Sequence, residues 1–374
     1  MNEDKVWVGL DVGRERSQVC IVDATGAELL QQDCETKLTA LKKAISIYPA
    51  DRIAMIAVEA SNDTHIVRKL RNVGFPVTIF ETYKASKFLA LRRNKTDASD
   101  ARGLADLARL GRHTVSEVYL KSPECQKLRG ILVMRQRLSI MRVAAENVLR
   151  SRLALHGLSM KRVYALGGLR QEVNDQLALL RAEEEVDLTS DLQPLVEMCE
   201  GLRAYLRQVD NDLQQRAKSN PVCRLLMEVP GVGPICALSF YTAIENPDRF
   251  TDASGVGAYF GLAPRRYQSG QTSRTRGISK AGSKLTRTHL VTAATVFGNT
   301  APDCGLKRWF LALRERAGSG RARVALARKL AVILLAMWKT QSHFRYGPPG
   351  PDSLPGPDSP EPPRESCCED IPLL

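Results

Sequence analysis

Two apolar segments near the start of the chain, each ending in an acidic residue, constrain the fold more than any other feature. Residues 6–11 are apolar up to Asp11, and residues 53–59 repeat that pattern up to Glu59. Continuous apolar runs of this length are typical of strands buried in a sheet. A carboxylate at a strand end is often simply solvated, but burying an unpaired one costs several kcal/mol. The pattern therefore predicts that both acids face a compensating cation.

A second acidic pair follows within residues 94–102. Asp97 and Asp100 are spaced i and i+3, so both lie on one face of the helix that Thr96 is expected to cap. Acids in a first helical turn usually only complement the macrodipole, an effect of about 0.3–1 kcal/mol. Together with the two strand-end acids, however, they form a set of carboxylates, the ligands that Mg²⁺ or Mn²⁺ prefers. The predicted metal ligands are Asp11, Glu59, Asp97 and Asp100.

The charge of the chain points to a polyanionic partner. Its 374 residues carry a formal charge of +13, and no acidic residue occurs from position 253 to position 302. A surplus that serves only solubility would mix both signs, whereas an unbroken basic span is typical of surfaces that bind a phosphate backbone. A merely solvated basic face is the alternative. The cations of this span that we expect to bind nucleic acid are Arg265, Arg266, Arg274, Arg276, Lys280 and Lys284.

Cations beside the acidic pair extend this expected surface. Arg92, Arg93 and Lys95 precede Asp97, and Arg102 follows it within the same segment. Side chains at such positions could bring backbone phosphates of double-stranded DNA to the metal. A solvated helix face is again the alternative.

Neither a cysteine-based metal site nor a membrane segment is expected. The nine cysteines show no CxxC spacing, which argues against structural zinc, and their scatter through apolar segments fits reduced thiols. The N-terminal residues lack a basic stretch followed by an apolar one. The longest late apolar run, residues 330–338, is far shorter than the roughly 20 residues that a membrane span needs. We therefore expect a cytoplasmic protein without membrane contact.

The order of predicted elements divides the chain into four parts. Alternating strands and helices at the start predict an α/β domain with a mixed sheet. The four parts are an α/β domain at 1–115, a helical linker at 116–220, a mainly helical domain at 221–345 and a disordered, Pro-rich, acidic tail at 346–374. The predicted strands are 6–11, 18–23, 28–34, 53–59 and 77–80, and the predicted helices are 38–48, 66–72, one from 84 onward, and two near 286–297 and 323–339.

Two series of apolar residues in the linker have the spacing of coiled-coil seams. Their spacings of three and four residues, broken only by Arg152 in the first series, are typical of heptad repeats in long helices. The two helices could pack within one chain or across a dimer, and we favour a helical hairpin that also dimerises. The first series is Ile131, Met134, Leu138, Met141, Ala145, Val148 and Leu155, and the second is Leu192, Leu195, Cys199, Leu202, Leu206, Val209 and Leu213.

A glycine-rich turn lies at residues 227–234, between two apolar segments. It is similar to the turn of a helix-hairpin-helix motif, whose backbone N–H groups can hold a phosphate. A tight helix connection that needs glycine for a positive φ angle fits the sequence almost equally well.

Together these motifs resemble the DEDD transposases of the bacterial insertion-sequence one-ten (IS110) family. The resemblance rests on the acids, on residues 94–102, and on residues 230–233 and 261–270, and it extends over most of the chain. It implies a RuvC-like, RNase H-fold nuclease domain, a coiled-coil linker and a transposase domain with a catalytic serine. Residues 60–62 depart from the Thr-Gly that often follows the second acid in relatives, but the acid itself is intact.

The same resemblance implies a site-specific DNA recombinase that moves its own insertion element. Asp11, Glu59, Asp97 and Asp100 would bind the metal, and Ser269 would be the nucleophile that forms a phosphoserine. A structured bridge RNA would guide the protein, and a homo-oligomer, dimer or tetramer, would act on the DNA. From the residues alone, Ser269 would more often be an ordinary turn serine.

Three other functions stay open from the sequence. A RuvC-like junction nuclease would use the same metal, with water as the nucleophile and a structural Ser269. A sugar-kinase-like ATPase is suggested by residues 11–13, which resemble the phosphate-binding turn of that fold, but no second phosphate loop follows. A DNA-binding protein without catalysis would rely on the turn at residues 231–233 alone.

Overall fold

The structure, a computed structural model, describes residues 4–60, 64–90, 96–110, 117–184, 186–269 and 272–346. By its internal contacts the chain divides into two units, Met1–Ser122 and Pro123–Leu374. Several residues of the sequence predictions lie outside the described ranges, namely Arg92, Arg93, Lys95, Gly270 and the tail from residue 347.

The first unit is built on a mixed β-sheet. Its strands are β1 (Val6–Val12), β2 (Arg16–Val22), β3 (Glu28–Glu35), β4 (Ile53–Glu59) and β5 (Val77–Phe80). The apolar runs that end in Asp11 and Glu59 form β1 and β4, which are adjacent and parallel. β2 and β3 continue the sheet antiparallel on one side, and β5 pairs in parallel with β4, so that the order is β3-β2-β1-β4-β5. The predicted mixed sheet is confirmed.

Helices cover both faces of this sheet. They are α1 (Leu38–Ile45), α2 (Thr64–Asn72), α3 (Thr82–Leu89) and α4 (Asp97–Leu110). α1 and α2 pack on one face, where Leu41 and Ile66 join the buried side chains of the strands. α3 and α4 pack on the other face through Ala85 and Ala101. The helix expected from residue 84 onward is α3, which ends at Leu89, and the helix expected to follow the Thr96 cap is α4, which begins at Asp97.

The second unit begins with long helices that run along one another. They are α5 (Pro123–Ala154), α6 (Gly168–Glu184) and α7 (Thr189–Ser219), of which α6 was not predicted. Arg135 of α5 forms an ion pair with Asp210 of α7, and Glu146, further along α5, pairs with Arg203, earlier in α7. The order of these pairs shows that α5 and α7 run antiparallel within one chain, as the hairpin prediction requires.

Much of the predicted seam is buried within the chain in α7, whereas much of it is exposed in α5. The buried members of the α7 series are Leu192, Cys199, Leu202, Leu206 and Leu213. In the α5 series, the residues Met134, Met141, Val148 and Leu155 are exposed. The side of α5 that meets α7 is partly polar, since Arg135 and Glu146 make their ion pairs there. The apolar series of α5 therefore lies mainly on its outer side.

Glu146 is a buried charge at the centre of this helix pair. Its side chain is 5% exposed, and its carboxylate accepts hydrogen bonds from Arg142 at 3.0 Å and from Arg203 at 2.9 Å. Arg150 lies 3.5 Å from its second oxygen. The Arg203 side chain is itself only 9% exposed. Removing either partner would leave the other charge buried without compensation, which is strongly destabilising.

The rest of the second unit is a helical domain with a small β-hairpin. Its elements are α8 (Pro221–Leu226), α9 (Pro234–Ile244), short 3₁₀ turns at Pro247–Arg249 and Ala253–Gly255, α10 (Val256–Tyr259), β6 (Pro264–Ser269), β7 (Thr272–Ile278), α11 (Lys284–Thr300), α12 (Gly305–Ala317) and α13 (Ser319–Thr340). α13 runs through the core, with Leu330 and Leu334 fully buried. The predicted helices near 286–297 and 323–339 are confirmed as α11 and α13, whereas the hairpin and α12 were missed.

Within the described ranges, none of the helices has the length and apolar content that a membrane crossing requires.

Glu146→Ala should destabilise the protein far more than removal of an exposed acid from the same helix pair. The substitution leaves Arg203 buried without its carboxylate, which typically costs about 3–5 kcal/mol. The control, Asp212→Ala, breaks a pair with Arg216 in which the two side chains are 47% and 44% exposed, worth roughly 0.3–0.5 kcal/mol. Thermal unfolding of the full-length variants measures both effects. Equal melting temperatures for the two variants would contradict the role assigned to Glu146.

Candidate active site

Asp11 and Glu59 lie at the same edge of the sheet. In the parallel pairing of β1 with β4, Leu10 is opposite Val58, so the two acids occupy the next position of each strand. Both residues are partly exposed, unlike the buried residues that precede them in each strand. The two acid-bearing strands are therefore adjacent, and their acids lie side by side in the register.

α4 brings the second acidic pair toward that edge. Near its C-terminal end, Arg109 donates a hydrogen bond at 3.3 Å to the carbonyl of Ala24, in the turn between β2 and β3. That turn lies at the amino-terminal end of β1, because β2 runs antiparallel to β1. Hence α4 also runs antiparallel to β1, and its first turn, which contains Asp97 and Asp100, points toward the edge of the strand-end acids.

Gly9, in the middle of β1, lets α4 lie directly on the strand. A Cβ atom at this position would lie 1.9 Å from the carbonyl oxygen of Ala101 and 2.3 Å from the backbone nitrogen of Ala105. Both are backbone atoms, so no side-chain adjustment could make room. Gly9 therefore sets the distance between the helix that carries the acidic pair and the strand that carries Asp11.

The start of α4 is fixed by a reciprocal cap. The Thr96 hydroxyl accepts a hydrogen bond from the backbone N–H of Ser99 at 3.1 Å, and the Ser99 hydroxyl accepts one from the N–H of Thr96 at 2.9 Å. Thr96 is thus confirmed as the cap, in the pattern of a capping box with serine in place of the usual Glu or Gln. The cap places Asp97 and Asp100 in the first turn, where the helix macrodipole stabilises negative charge.

The acids share an edge but do not form a closed cluster. Among the residues that the structure describes, no group of three His, Cys, Asp or Glu side chains is close enough together to hold a metal ion. Asp97 is exposed, and Asp11, Glu59 and Asp100 are partly exposed. Carboxylates repel one another when no cation lies between them. The edge thus offers oxygen donors of the kind that Mg²⁺ binds, and a cation would be needed to draw them together.

Arg102 is held by contacts within the first unit. Its side chain is 21% exposed and lies 3.3 Å from Glu28 of β3 and 3.5 Å from Asp106 of its own helix. It also donates a hydrogen bond to the carbonyl of Gly26. These contacts tie α4 to the β2–β3 hairpin. The position of Arg102 therefore favours a structural role over the expected contact with nucleic acid.

Ser269 is the last residue of β6, whereas the sequence suggested a loop. The register of the hairpin pairs Ser269 with Thr272, Tyr267 with Arg274 and Arg265 with Arg276. Alternate positions of a strand, and positions directly opposite each other, share one face of a sheet. The serine position therefore belongs to a row that also contains Arg265, Arg274 and Arg276, while position 266 lies on the other face.

The basic residues next to the hairpin differ in their exposure and in the contacts they make. Lys280 and Lys284 are exposed, and Arg265 is exposed although it donates to the carbonyl of Ser279 at 2.7 Å. Arg287 instead donates to the carbonyls of Phe260 and Ala281, at 3.0 and 2.8 Å. The exposed cations can meet an anionic partner, and Arg287 holds the fold together.

The glycine-rich turn at residues 227–234 is explained by packing. It joins α8 to α9, and Gly231 has a φ angle of 84°. A Cβ atom at Gly231 would lie 2.4 Å from the carbonyl oxygen of Ala293 in α11. The alternative interpretation, a tight helix connection, required glycine for a positive φ angle. That angle and the close approach of α11 account for Gly231 without a bound phosphate.

Sequence reasoning missed a cavity lined by arginines in the second unit. The cavity has a volume of about 290 Å³ and lies between α5, α7 and the connection from α5 to α6. The charged residues in its wall are Arg135, Arg142, Arg203, Arg207 and Asp210, and Tyr164 of the connection also lines it. The helical spacing of Arg135 and Arg142 was visible in the sequence, but a search for apolar periodicity passes over it.

Comparison with known proteins defines the class of this chain. Residues 8–157 match the model of the DEDD transposases of the IS110 type, and residues 223–304 match the model described as transposase IS116/IS110/IS902 family. The chain is 29% identical over 351 residues to the transposase for insertion sequence element IS1111A of Coxiella burnetii, which covers 91% of each chain. It is 25% identical over 335 residues to the transposase for insertion sequence element IS1328 of Yersinia enterocolitica, covering 87% of this chain and 94% of that one.

The chain is thus a DNA transposase, an enzyme that recombines DNA. It belongs to the IS110 family of insertion-sequence transposases. The first matched segment contains the acid edge, and the second contains the basic hairpin with Ser269.

Gly9→Ala should displace α4 from β1 and disable the acid edge. A methyl group 1.9 Å from the carbonyl oxygen of Ala101 can be relieved only by movement of the backbone. We expect a melting temperature lowered by several degrees and loss of DNA cleavage. In the control, Gly130→Ala, the new Cβ atom meets nothing within 4 Å in α5, and alanine should stabilise the helix by about 0.5–1 kcal/mol.

Differential scanning fluorimetry and a DNA cleavage assay measure the two effects. A Gly9→Ala protein as stable and as active as Gly130→Ala would show that α4 does not rest on β1 in this way.

Proposed function

We propose that this transposase is a site-specific recombinase that moves its own insertion element by metal-dependent cleavage of DNA, with Ser269 as the nucleophile. The observation that carries the proposal is that Asp11, Glu59 and the first turn of α4 lie at one edge of the sheet. The strand order, with β1 to β3 antiparallel and β4 and β5 parallel to β1, supports a RuvC-like RNase H fold for the first unit.

We further propose the division of labour that the sequence predicted. Residues 1–115 would be the nuclease domain, residues 116–220 the helical linker and residues 221–345 the transposase domain with the serine. Residues 346–374 would be a Pro-rich, acidic tail.

The acids at the edge would hold a divalent ion, Mg²⁺ or Mn²⁺. The proposed ligands are Asp11, Glu59, Asp97 and Asp100. When bound, such an ion supplies positive charge at the phosphate that is transferred and activates the attacking hydroxyl. The chain itself would present carboxylate oxygens at a partly exposed edge of the sheet, where a DNA backbone has room to approach.

Ser269 would form the covalent link to DNA. Its hydroxyl oxygen forms a bond to phosphorus while the P–O bond to the departing strand end breaks, and that end takes up a proton and leaves as a hydroxyl. A hydroxyl end of a second duplex then reverses the step and returns a proton to Ser269. Because the phosphoserine conserves the ester bond, joining needs no ATP. The basic positions in the register row of Ser269 support this chemistry, since positive charge stabilises the crowded, anionic phosphorus.

Double-stranded DNA, as element ends and target, would be the substrate. The exposed side chains of Arg265, Lys280 and Lys284 support contact with its backbone. The remaining members of the proposed binding set are Arg266, Arg274, Arg276, Arg92, Arg93 and Lys95. A structured guide RNA is proposed from the family resemblance, and base pairing by such an RNA would explain recognition without a base-reading element in the protein.

Protein incubated with element-end DNA, the flanking noncoding RNA and Mg²⁺ should form a protease-sensitive protein–DNA adduct. Ser269→Ala and Asp11→Asn should each reduce the adduct by a factor on the order of 10³ or more, because each removes a group that acts in the chemical step. Asp51→Asn is the control, since Asp51 is exposed and precedes β4 at the opposite end of that strand. EDTA should abolish the adduct, and Mg²⁺ or Mn²⁺ should restore it.

The pattern of products separates the candidate mechanisms. Free cleaved ends that persist in Ser269→Ala would indicate a metal-dependent nuclease that uses water, and the serine assignment would be withdrawn. An adduct that survives in Asp11→Asn would remove the acid edge from the reaction.

We also propose that the outer side of α5 binds a second copy of this chain. Met134, Met141 and Val148 of α5, with Leu155 just after its end, recur every seven residues and are 47%, 53%, 47% and 71% exposed. Ile140 flanks this row and is 53% exposed. A helix that is apolar on more than one side normally buries each of them, and a seven-residue repeat fits a second long helix. Another copy of α5 would supply that helix.

Met141→Glu should weaken or abolish the proposed dimer, because two buried carboxylates would face each other near the centre of the contact. Met198→Glu is the matched control, since Met198 is 48% exposed on α7, outside the row. Analytical ultracentrifugation gives the mass of each variant. If Met141→Glu and the control have the mass of the unaltered protein, α5 does not mediate assembly.

A further inference from the structure

The cavity between α5 and α7 is cationic. Arg135 is neutralised by Asp210, with which it makes hydrogen bonds of 2.5 and 3.1 Å. Arg142 and Arg203 share the single carboxylate of Glu146, and that carboxylate also pairs with Arg150 outside the cavity wall. The arginines of the wall therefore outnumber the carboxylates that could balance them.

Arg207 adds a charge that the fold does not use. It is exposed on α7, lines the cavity and makes no ion pair within the part of the chain that the structure describes. A planar guanidinium without a carboxylate partner presents its donors to whatever enters the cavity. Phosphate is an anion whose geometry such a group matches, because it can accept two parallel hydrogen bonds.

Tyr164 supplies an aromatic surface at the same place. The residue lines the cavity and is 84% exposed. Val163 and Leu166, from the same connection, add apolar wall beside it. A solvent-exposed tyrosine ring lacks the stabilisation that burial usually gives this residue. An exposed ring next to several arginines is the combination that binds single strands, through base stacking and phosphate contacts.

The base that Tyr164 can reach depends on the form of the nucleic acid. A volume of about 290 Å³ is at the lower limit of small-molecule sites, so the cavity can hold a small group but cannot enclose a duplex. A base within a duplex is also stacked on its neighbours, so its face is not free for Tyr164. Only an unpaired nucleotide can offer its phosphate to the arginines and its base to the ring at once.

We propose that this cavity binds one nucleotide of an unpaired DNA or RNA strand, with its phosphate among the arginines and its base against Tyr164. The site lies apart from the acid edge and from Ser269 in sequence and in the elements that form it. Binding there requires no metal and no cleavage, so a failure of this proposal can be distinguished from a failure of the proposed recombination chemistry.

Fluorescence anisotropy with the full-length protein tests the site. The probes are short labelled single strands of DNA and of RNA with the same sequence, and the DNA duplex, all in EDTA so that no cleavage occurs. Tyr164→Ala should weaken single-strand binding roughly tenfold, as expected for the loss of one stacked base. Tyr164→Trp should retain binding. Arg207→Ala should also weaken it, and should lower the slope of log affinity against log salt by about 0.7 for each phosphate that is no longer neutralised.

Arg216→Ala is the matched control for charge. Arg216 is on the same helix and is 44% exposed, but it does not line the cavity. The Arg216→Ala variant should bind single strands like the unaltered protein, and all variants should bind the duplex with the same affinity. The probe whose affinity falls more, DNA or RNA, identifies the natural strand.

Photo-crosslinking gives a second readout. A strand that carries 5-iodouracil should crosslink to the peptide that contains Tyr164. Two outcomes would overturn the proposal: unchanged single-strand affinity in both Tyr164→Ala and Arg207→Ala, or an equal loss in Arg216→Ala, which would indicate unspecific attraction to net charge.

Discussion

The contact of α4 with β1 at Gly9 is the constraint on which the acid edge depends. With a glycine at this position, the helix backbone lies directly on the backbone of the central strand. Any side chain there would force the helix and strand backbones apart and would move Asp97 and Asp100 away from the sheet. The cap at Thr96 fixes the start of the helix, and Arg109 anchors its end to the β2–β3 turn. The helix is therefore held on the sheet in its middle and at its C-terminal end, and the cap defines where it begins.

A second constraint is the division of α5 into two unlike faces. In most paired helices the apolar face meets the partner helix, and the polar face meets water. In α5 the contact with α7 includes a buried ion-pair network around Glu146, while Met141 and Val148 are exposed. This arrangement makes the pairing of α5 with α7 specific in register, since Glu146 must meet Arg203. It also leaves the apolar face of α5 exposed, as it leaves Arg207 of α7.

The sequence was sufficient to predict the strands that carry the acids in the first unit, because these strands are long apolar runs. The unbroken apolar residues of β1 and β4 predict that both strands are buried. An acid that ends such an apolar run is then expected at the edge of the sheet. The start of α4 was predicted from the Thr96 cap, whereas the end of α3 at Leu89 was not predicted. The position of α4 on the sheet could not be predicted, since it depends on a contact between Gly9 and Ala101, residues that are far apart in the chain.

The second unit was harder to predict for a different reason. β6 and β7 are polar and basic, so they lack the alternation of apolar residues that marks a strand, and Ser269 was placed in a loop. The sequence did not show that most of the α5 series would lie away from α7, because apolar periodicity takes no account of buried ion pairs. The cavity beside that face combines residues of α5, α7 and the connection at Tyr164. No local pattern contains it, because the fold alone brings these residues together.

The acid edge and the serine hairpin are supported by separate cores. The strands that end in the acids are buried among side chains of the first unit. The hairpin is flanked by α10 and α11, whose Val256 and Leu290 belong to the core of the second unit. Replacing a partly exposed carboxylate of the first unit leaves the packing of the core of the second unit unchanged. If a single carboxylate and a single hydroxyl in different units are both required for one product, the reason is therefore shared chemistry and not shared stability.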